Sequence, residues 1–276
     1  MTSNRHCGLD PQSQKGYMIN LAFGYAELEY YLLILVRVTC FIYIAPFFGM
    51  NQVPNRVKIA LGLFIAFFVS RYIPHVEVSY NTLAGYTLII MKEAVTGFLI
   101  GFGANLCMTI IAFAGRIIDM NIGLMMASVM DPTTREQTSI TGVFYNYMVM
   151  LILLISGMYQ FLLGALLATF TLIPINGAIF RMDALLSSML LFLRDYIIIG
   201  FRIALPVFVV ITLVNAILGI LAKVSPQMNM FAVGMQLKIL VGFGVIFVTI
   251  GMLPMAASFI FDQMKRVVTT MVHVML

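Results

Sequence analysis

Long apolar runs, each closed by a short polar connection, set the rhythm of this chain. They cover Tyr25–Phe48, Ile59–Ile73, Leu83–Ala114, Ile140–Ile173, Ala184–Ile199, Ile203–Ala222 and Phe231–Phe261. The alternation of a half-buried strand is missing from them, and most are as long as helices that are apolar nearly all round. The connections carry the usual breakers: Gly49–Asn55, with Pro54 placed to open the next helix, Pro74–Asn81, Ile175–Met182 and Lys223–Asn229. Leu83–Ala114 exceeds the roughly 20 residues of a simple span. Within it Gly97 and Gly101 form a GxxxG step, a device for close helix approach. Arg194, Asp195 and Arg202 read as the junction between the fifth and sixth runs, with Pro206 kinking or opening the sixth. The pattern predicts an all-α membrane protein of long apolar helices and helical hairpins.

One stretch departs from the pattern. Gly115–Thr138 carries Arg116, Asp119, Asp131, Arg135 and Glu136 around a core of small residues and of Met120, Met125, Met126 and Met130. A loop in water has little use for so many methionines, and a plain membrane span avoids those charges. Asp131-Pro132, or Thr133 with Glu136 three positions on, matches a helix N-terminal cap and predicts the start of the fourth helix.

Composition confirms the membrane setting. The 276 residues are 62% hydrophobic and only 10% charged, against about 25% charged in soluble domains. Lipid or apolar partner subunits must therefore cover part of the surface. The net charge of +5 comes from Lys and Arg scattered singly or in pairs, so a nucleic-acid partner is not expected. Positive residues occur in nearly every connection, and the asymmetry that orients membrane proteins does not resolve. Some segments are thus expected to be hairpins that never cross the bilayer, or to be covered by partners. Residues 1–17 are polar and lack the apolar core of a signal peptide. They read either as a disordered leader or as the result of an early start codon, with Met18 the true beginning; residues 18–276 form one all-helical domain.

Candidate chemistry is sparse. Three cysteines and three histidines, far apart, give no disulfide framework and no metal site. No HExxH, GxSxG or phosphate-cradling glycine loop occurs, so neither enzymatic activity nor a cofactor is expected. Ionisable residues inside apolar runs carry more weight, because burying them in lipid is costly. Arg37, Lys92, Glu93 and Lys238 stand out, with Glu27, Glu29, Arg194 and Asp195 nearby. They suit either pairing with neighbours and partner subunits or a transporter's ion relay. Lys92 and Glu93 point about 100° apart on a helix and should find separate partners.

The ordered set of motifs resembles the FliR family of flagellar type III export-gate subunits, with its injectisome counterpart. It comprises Pro54-Asn-Arg56-Val-Lys58; Ala114-Gly115 through Asp119 to Gly123-Leu124; Asp131-Pro132; Leu205-Pro206; and Leu218-Gly219 through Ser225-Pro226-Gln227-Met228-Asn229 to Gly234 and Lys238. The likeness covers residues 26–261. It implies an export-gate subunit fold in the bacterial inner membrane and flagellar basal body, assembled with FliP-like, FliQ-like and FlhB-like subunits. Much of that assembly stands above the membrane plane, and unfolded protein substrates pass through it. It also implies a plug over about Ile122–Thr138. Residues Met120, Ile122, Gly123, Leu124, Met125, Met126, Val129 and Met130 would close the pore, anchored by Asp131, Pro132, Thr133 and Glu136. Arg37, Lys92, Glu93 and Lys238 would be intersubunit charges. This chain has Arg116 where family members often carry an acid, and Met126 and Val129 where phenylalanine is frequent. The overall likeness favours flagellar over injectisome use, and a stand-alone secondary transporter is the alternative from another class.

Overall fold

The structure, a computed structural model, describes residues 25–50, 52–73, 80, 82–126, 139–224 and 230–276. Among these, eight α-helices and two 3-10 turns follow one another without a strand. Helix α1 spans Tyr25–Ile44, α2 Asn55–Tyr72 and α3 Leu83–Ile122, followed by a 3-10 turn at Leu124–Met126. Then come α4 (Ile140–Ile155), α5 (Met158–Leu172), α6 (Met182–Val224) and α7 (Met230–Thr249). A turn at Ile250–Met252 leads into α8, Leu253–Val274.

The 40-residue α3 is the spine. Thr82 starts it, its hydroxyl accepting the Gly85 N–H at 3.3 Å. Gly123 ends it in the left-handed region, φ 92°, with its N–H on the Asp119 carbonyl. This is the cap geometry glycine adopts without steric cost. Helices α1, α4, α6 and α8 all pack on α3, and 56% of its most apolar window is buried. The corresponding windows of α6 and of α7–α8 are only 28% and 22% buried, so those helices turn apolar surface outward.

Glycines set the closest approaches. A Cβ at Gly97 would run into the Arg37 backbone carbonyl, and one at Gly101 would lie 2.9 Å from the Phe41 carbonyl. The GxxxG step of α3 is therefore a packing surface for α1, and the matching order of the contacts makes the two helices parallel. The next turn of the chain uses the same device, where Gly115 of α3 meets Gly142 of α4 backbone to backbone.

Three helices are long and apolar enough to cross a membrane, four if the bent α4–α5 pair counts as one span. The chain is a multi-pass membrane protein by length and composition. At 1.5 Å per residue, α3 and the 43-residue α6 are about 60 and 65 Å long, twice the roughly 30 Å hydrocarbon core. Either would have to tilt by about 60° from the membrane normal to fit inside the core along its whole length, beyond the roughly 0–40° usual for membrane helices.

Several boundaries differ from the pattern-based expectation, each for a local reason. The fifth and sixth runs form one helix, α6: Arg194 and Arg202 are exposed, so they interrupt the hydropathy without interrupting the backbone. Pro206 lies inside that helix despite removing one backbone hydrogen bond, with buried Ala204 and Val207 holding it on either side. The expected single fourth helix is instead broken at Ser156-Gly157, where Gly157 takes φ 77° and the axis bends by 68°. The last run divides at Gly251 ahead of Pro254, which occupies the first turn of α8. Helix α8 continues beyond the last apolar run, through Asp262–Arg266 to Val274. Helix α3 extends eight residues beyond Ala114, so Gly115–Asn121 is helix.

Substituting Gly97 by Leu should destabilise the chain by at least the 1–3 kcal/mol typical of overpacking, because the obstacle is backbone. Gly164→Ala, with nothing within 4 Å of the added carbon, should stay within about 0.5 kcal/mol of the parent. Thermal unfolding of the purified protein in detergent distinguishes the two.

Candidate functional site

Two polar constellations lie inside this apolar chain, one at each end of the α3 core. The first joins α1, α3 and the α5–α6 turn. Arg37 and Glu93 are both fully buried, and Arg37 Nε donates to Glu93 Oε2 at 2.6 Å. Arg37 Nη1 also donates to the carbonyls of Thr169 (3.3 Å) and Ile173 (3.1 Å) at the end of α5. Its guanidinium carbon lies 4.5 Å from the centre of the Phe170 ring. The other oxygen of Glu93 accepts the Asn176 N–H at 3.0 Å, and Asn176 takes φ 66° to present it. Lys92, on the neighbouring face, reaches Asn176 Oδ1 at 3.5 Å. Lys92 and Glu93 thus meet at one residue, Asn176, through different atoms of it, and not at separate partners as their angular offset suggests; only Glu93 also reaches Arg37. One guanidinium nitrogen, Nη2, has no partner among the described residues.

This geometry corrects one expectation. Arg37 and Glu93, expected as intersubunit charges, are both enclosed by this chain and paired with each other. A buried carboxylate and guanidinium are tolerated only when paired in this way.

The second constellation closes the base of the α3–α4 hairpin, the residues on either side of the methionine-rich stretch. Asp119, 3% exposed, accepts at Oδ2 from the Ser139 hydroxyl (2.6 Å) and from the Thr141 N–H (3.2 Å). Ser139 in turn accepts the Gly142 N–H at 2.9 Å, which makes it the N-cap of α4. A carboxylate at a helix N-terminus is further favoured by the helix dipole. With the Gly115–Gly142 contact one turn away, residues 119 and 139 are clamped together. The described ends of the methionine-rich stretch are thus held at one place.

On the flank of this clamp, an open cleft of about 570 Å³ separates the end of α3 from α6 and α7. Met120, Gly123 and Met125 line it from one side, and Leu218, Gly234 and Lys238 from the other. Met120 is 69% exposed and Met125 40%. Ile122 borders the cleft too, but it is fully buried, packed where Gly242 of α7 gives it room. Leu124 is also buried. The structure therefore brings Met120, Ile122, Gly123, Met125 and Lys238 to one cleft, with Ile122 and Leu124 buried and Met120 and Met125 exposed. Of Met126 only the backbone is described. Val129, Met130, Asp131, Pro132, Thr133 and Glu136 lie outside the described residues. Lys238 is half-buried and has no hydrogen bond or ion pair among the described residues.

Sequence reasoning missed Asp119, Ser139 and Gly142 as a unit. Ser139 three residues ahead of Gly142 was a readable cap signal, passed over for the stronger Asp131-Pro132 pattern. Among the described residues no group of three His, Cys, Asp or Glu side chains could hold a metal ion.

The fold and site define a multi-pass helical membrane protein in which buried polar clamps fix the helices on either side of a methionine-rich stretch. The chain belongs to the family of bacterial export proteins, family 1, whose model matches residues 28–264. It is 31% identical over 218 residues to the flagellar biosynthetic protein FliR of Bacillus subtilis, covering 77% of this chain and 83% of that protein. Similarity to FliR of Pectobacterium carotovorum is 28% over 232 residues, 83% and 87% of the two chains. The surface presentation of antigens protein SpaR of Shigella flexneri is 28% identical over 174 residues, 63% and 66% of the two.

The Arg37–Glu93 pair makes a quantitative prediction. Arg37→Leu or Glu93→Leu alone should cost about 3–5 kcal/mol, the penalty of a stranded buried charge. The double variant should be clearly less damaging than the sum of the two. A thermal-unfolding cycle of the four proteins measures the coupling; simple additivity would show that the pair is not an energetic unit.

Proposed function

We propose that this chain is a core subunit of the flagellar type III protein export gate in the bacterial inner membrane, within the flagellar basal body. In that reading it assembles with FliP-like, FliQ-like and FlhB-like subunits, and unfolded flagellar proteins cross through the channel they form. The stretch Ile122–Thr138 acts as the plug, with Met125, Met126, Val129 and Met130 closing the pore and Asp131, Pro132, Thr133 and Glu136 anchoring it. Lys92 and Lys238 contact neighbouring subunits.

The observation that carries the reading is the clamp at the hairpin base. A seal that must yield to a passing polypeptide and then re-form needs fixed ends and a soft tip. Asp119 with Ser139 and Thr141, and Gly115 against Gly142, supply the fixed ends. Methionine supplies softness, being apolar, unbranched and able to repack around irregular shapes. A narrow apolar constriction blocks ions by dewetting. The outward apolar faces of α6 and α7 and the excess length of α3 and α6 also fit a subunit covered by protein as well as lipid. Membership of an export family, and flagellar relatives that match more of the chain than the injectisome relative does, favour flagellar use. Against a stand-alone transporter, the buried pair Arg37–Glu93 is locked between helices and does not line a path.

Deleting Gly123–Val129 should raise ion leakage through the membrane while leaving the complex assembled. Membrane conductance in cells carrying the deletion, compared with parent cells at equal complex abundance, reads this out; unchanged conductance contradicts the plug assignment.

A further inference from the structure

Away from both clamps, charged side chains gather once more, in a groove of about 390 Å³ between α6 and α8. Arg194 and Arg202 stand eight positions apart on α6, and so share one face with Ile198 between them. Asp262 and Arg266, four apart, face them from α8. Asp195 is engaged, accepting from Gln263 Nε2 at 3.1 Å. The other four charged groups have no side-chain hydrogen bond or ion pair among the described residues. Three guanidiniums face two carboxylates, an excess of one positive charge over a floor of Ile198 and Phe259.

The position of this groove along the helices says what could fill it. Directly after Arg202, Ile203–Ala222 runs for twenty residues without a charge and stops at Lys223. That is about 30 Å of helix at 1.5 Å per residue, the thickness of a bilayer's hydrocarbon core. The return path through α7 and α8 repeats the interval, with no charge between Lys238 and Asp262. Along the same part of α6 the side chains of Leu205, Val209, Leu213, Ile217 and Ile220 are exposed. The arginines therefore stand at one edge of an uncharged slab of membrane thickness, the level at which lipid phosphates lie.

We propose that the α6–α8 groove binds the phosphate headgroup of an acidic phospholipid, whose acyl chains run along the exposed apolar face of α6. Guanidinium forks match phosphate oxygens in a bidentate manner, and basic pockets between membrane helices are established sites for anionic headgroups. The net positive charge selects a headgroup of net negative charge, while Asp262 limits how much anion the groove accepts. Bound there, the lipid would fix the depth of α6 and α8 in the bilayer.

The test uses the full chain purified with the membrane proteins that accompany it, and counts retained lipid by native mass spectrometry. Phosphatidylglycerol, phosphatidylethanolamine and phosphatidylcholine are added in turn. Phosphatidylglycerol should be retained preferentially. The triple variant Arg194→Gln/Arg202→Gln/Arg266→Gln should lower its retention roughly a hundredfold, given about 1 kcal/mol per basic residue near an anionic surface. The corresponding triple Lys variant should keep most of it. Should the triple Gln variant not assemble, Arg266→Gln alone serves the comparison with a smaller drop. Equal retention of all three lipids, or retention unchanged by the Gln substitutions, overturns the proposal. So does equal stabilisation by inorganic phosphate alone, or a photoreactive group at position 259 that captures a neighbouring protein instead of lipid.

Discussion

An arginine and a glutamate buried in an apolar interior leave the chain no freedom over where α1 lies on α3. Unpaired, either charge would cost several kcal/mol; paired, they demand one register. The same two helices then exploit that register twice more. Glu93, Gly97 and Gly101 follow one another at four-residue spacing on one face of α3, opposite Arg37 and Phe41 on α1. The Arg37 guanidinium meets Glu93 while its own backbone carbonyl rests against Gly97. Shifting α1 by one turn would strand the charges and drive side chains into backbone at once. Through Thr169, Ile173 and Asn176 the same pair also fixes the end of α5. There the chain turns into α6, and the Ile179 N–H ties this turn to the Met275 carbonyl just past α8. A single polar contact thus organises helices from both ends of the sequence.

With one end of α3 held in this way, its other end becomes a rigid support for the methionine-rich hairpin. The logic of the second clamp differs. Asp119 is buried at the start of α4, where a helix N-terminus offers unsatisfied N–H groups. It therefore stabilises both the helix and the hairpin with one carboxylate. Charge-assisted hydrogen bonds of this kind contribute about 1.5–3 kcal/mol each. Glycine on both helices brings the backbones together where any side chain would hold them apart. The segment beyond this base is bounded by fixed points and rich in a side chain suited to repacking.

Much of this was legible in the sequence. The long apolar runs announced helices, Gly97 and Gly101 announced a close helix contact, and the clash between methionines and charges singled out the 115–138 stretch. The breaks that went unread have a common cause. Hydropathy averages over a window, so Ser156-Gly157 vanishes inside strongly apolar surroundings although it turns the chain by 68°, and the 3-10 step at Gly251 vanishes likewise. The opposite error joined Arg194 and Arg202 into a false boundary, because a charge on an exposed helix face lowers hydropathy without disturbing the backbone. Pairing of Arg37 with Glu93 spans 56 positions, and no local pattern encodes which distant partner a buried charge will take. Met120, Ile122 and Met125 look alike in sequence and all border the cleft, yet the packing of Gly242 against α3 buries Ile122 while the two methionines stay exposed.

Taken together, two polar clamps, glycine-mediated contacts and outward apolar faces describe a rigid subunit that is complete only among partners. That incompleteness is the central claim, and it is measurable most directly by affinity purification of the tagged chain from its native membrane, followed by mass spectrometry. The account predicts recovery of FliP-like and FliQ-like proteins in a complex with the chain, and poor stability of the chain expressed alone. Recovery of a stable, solitary chain that transports solutes by itself in vesicles would contradict it.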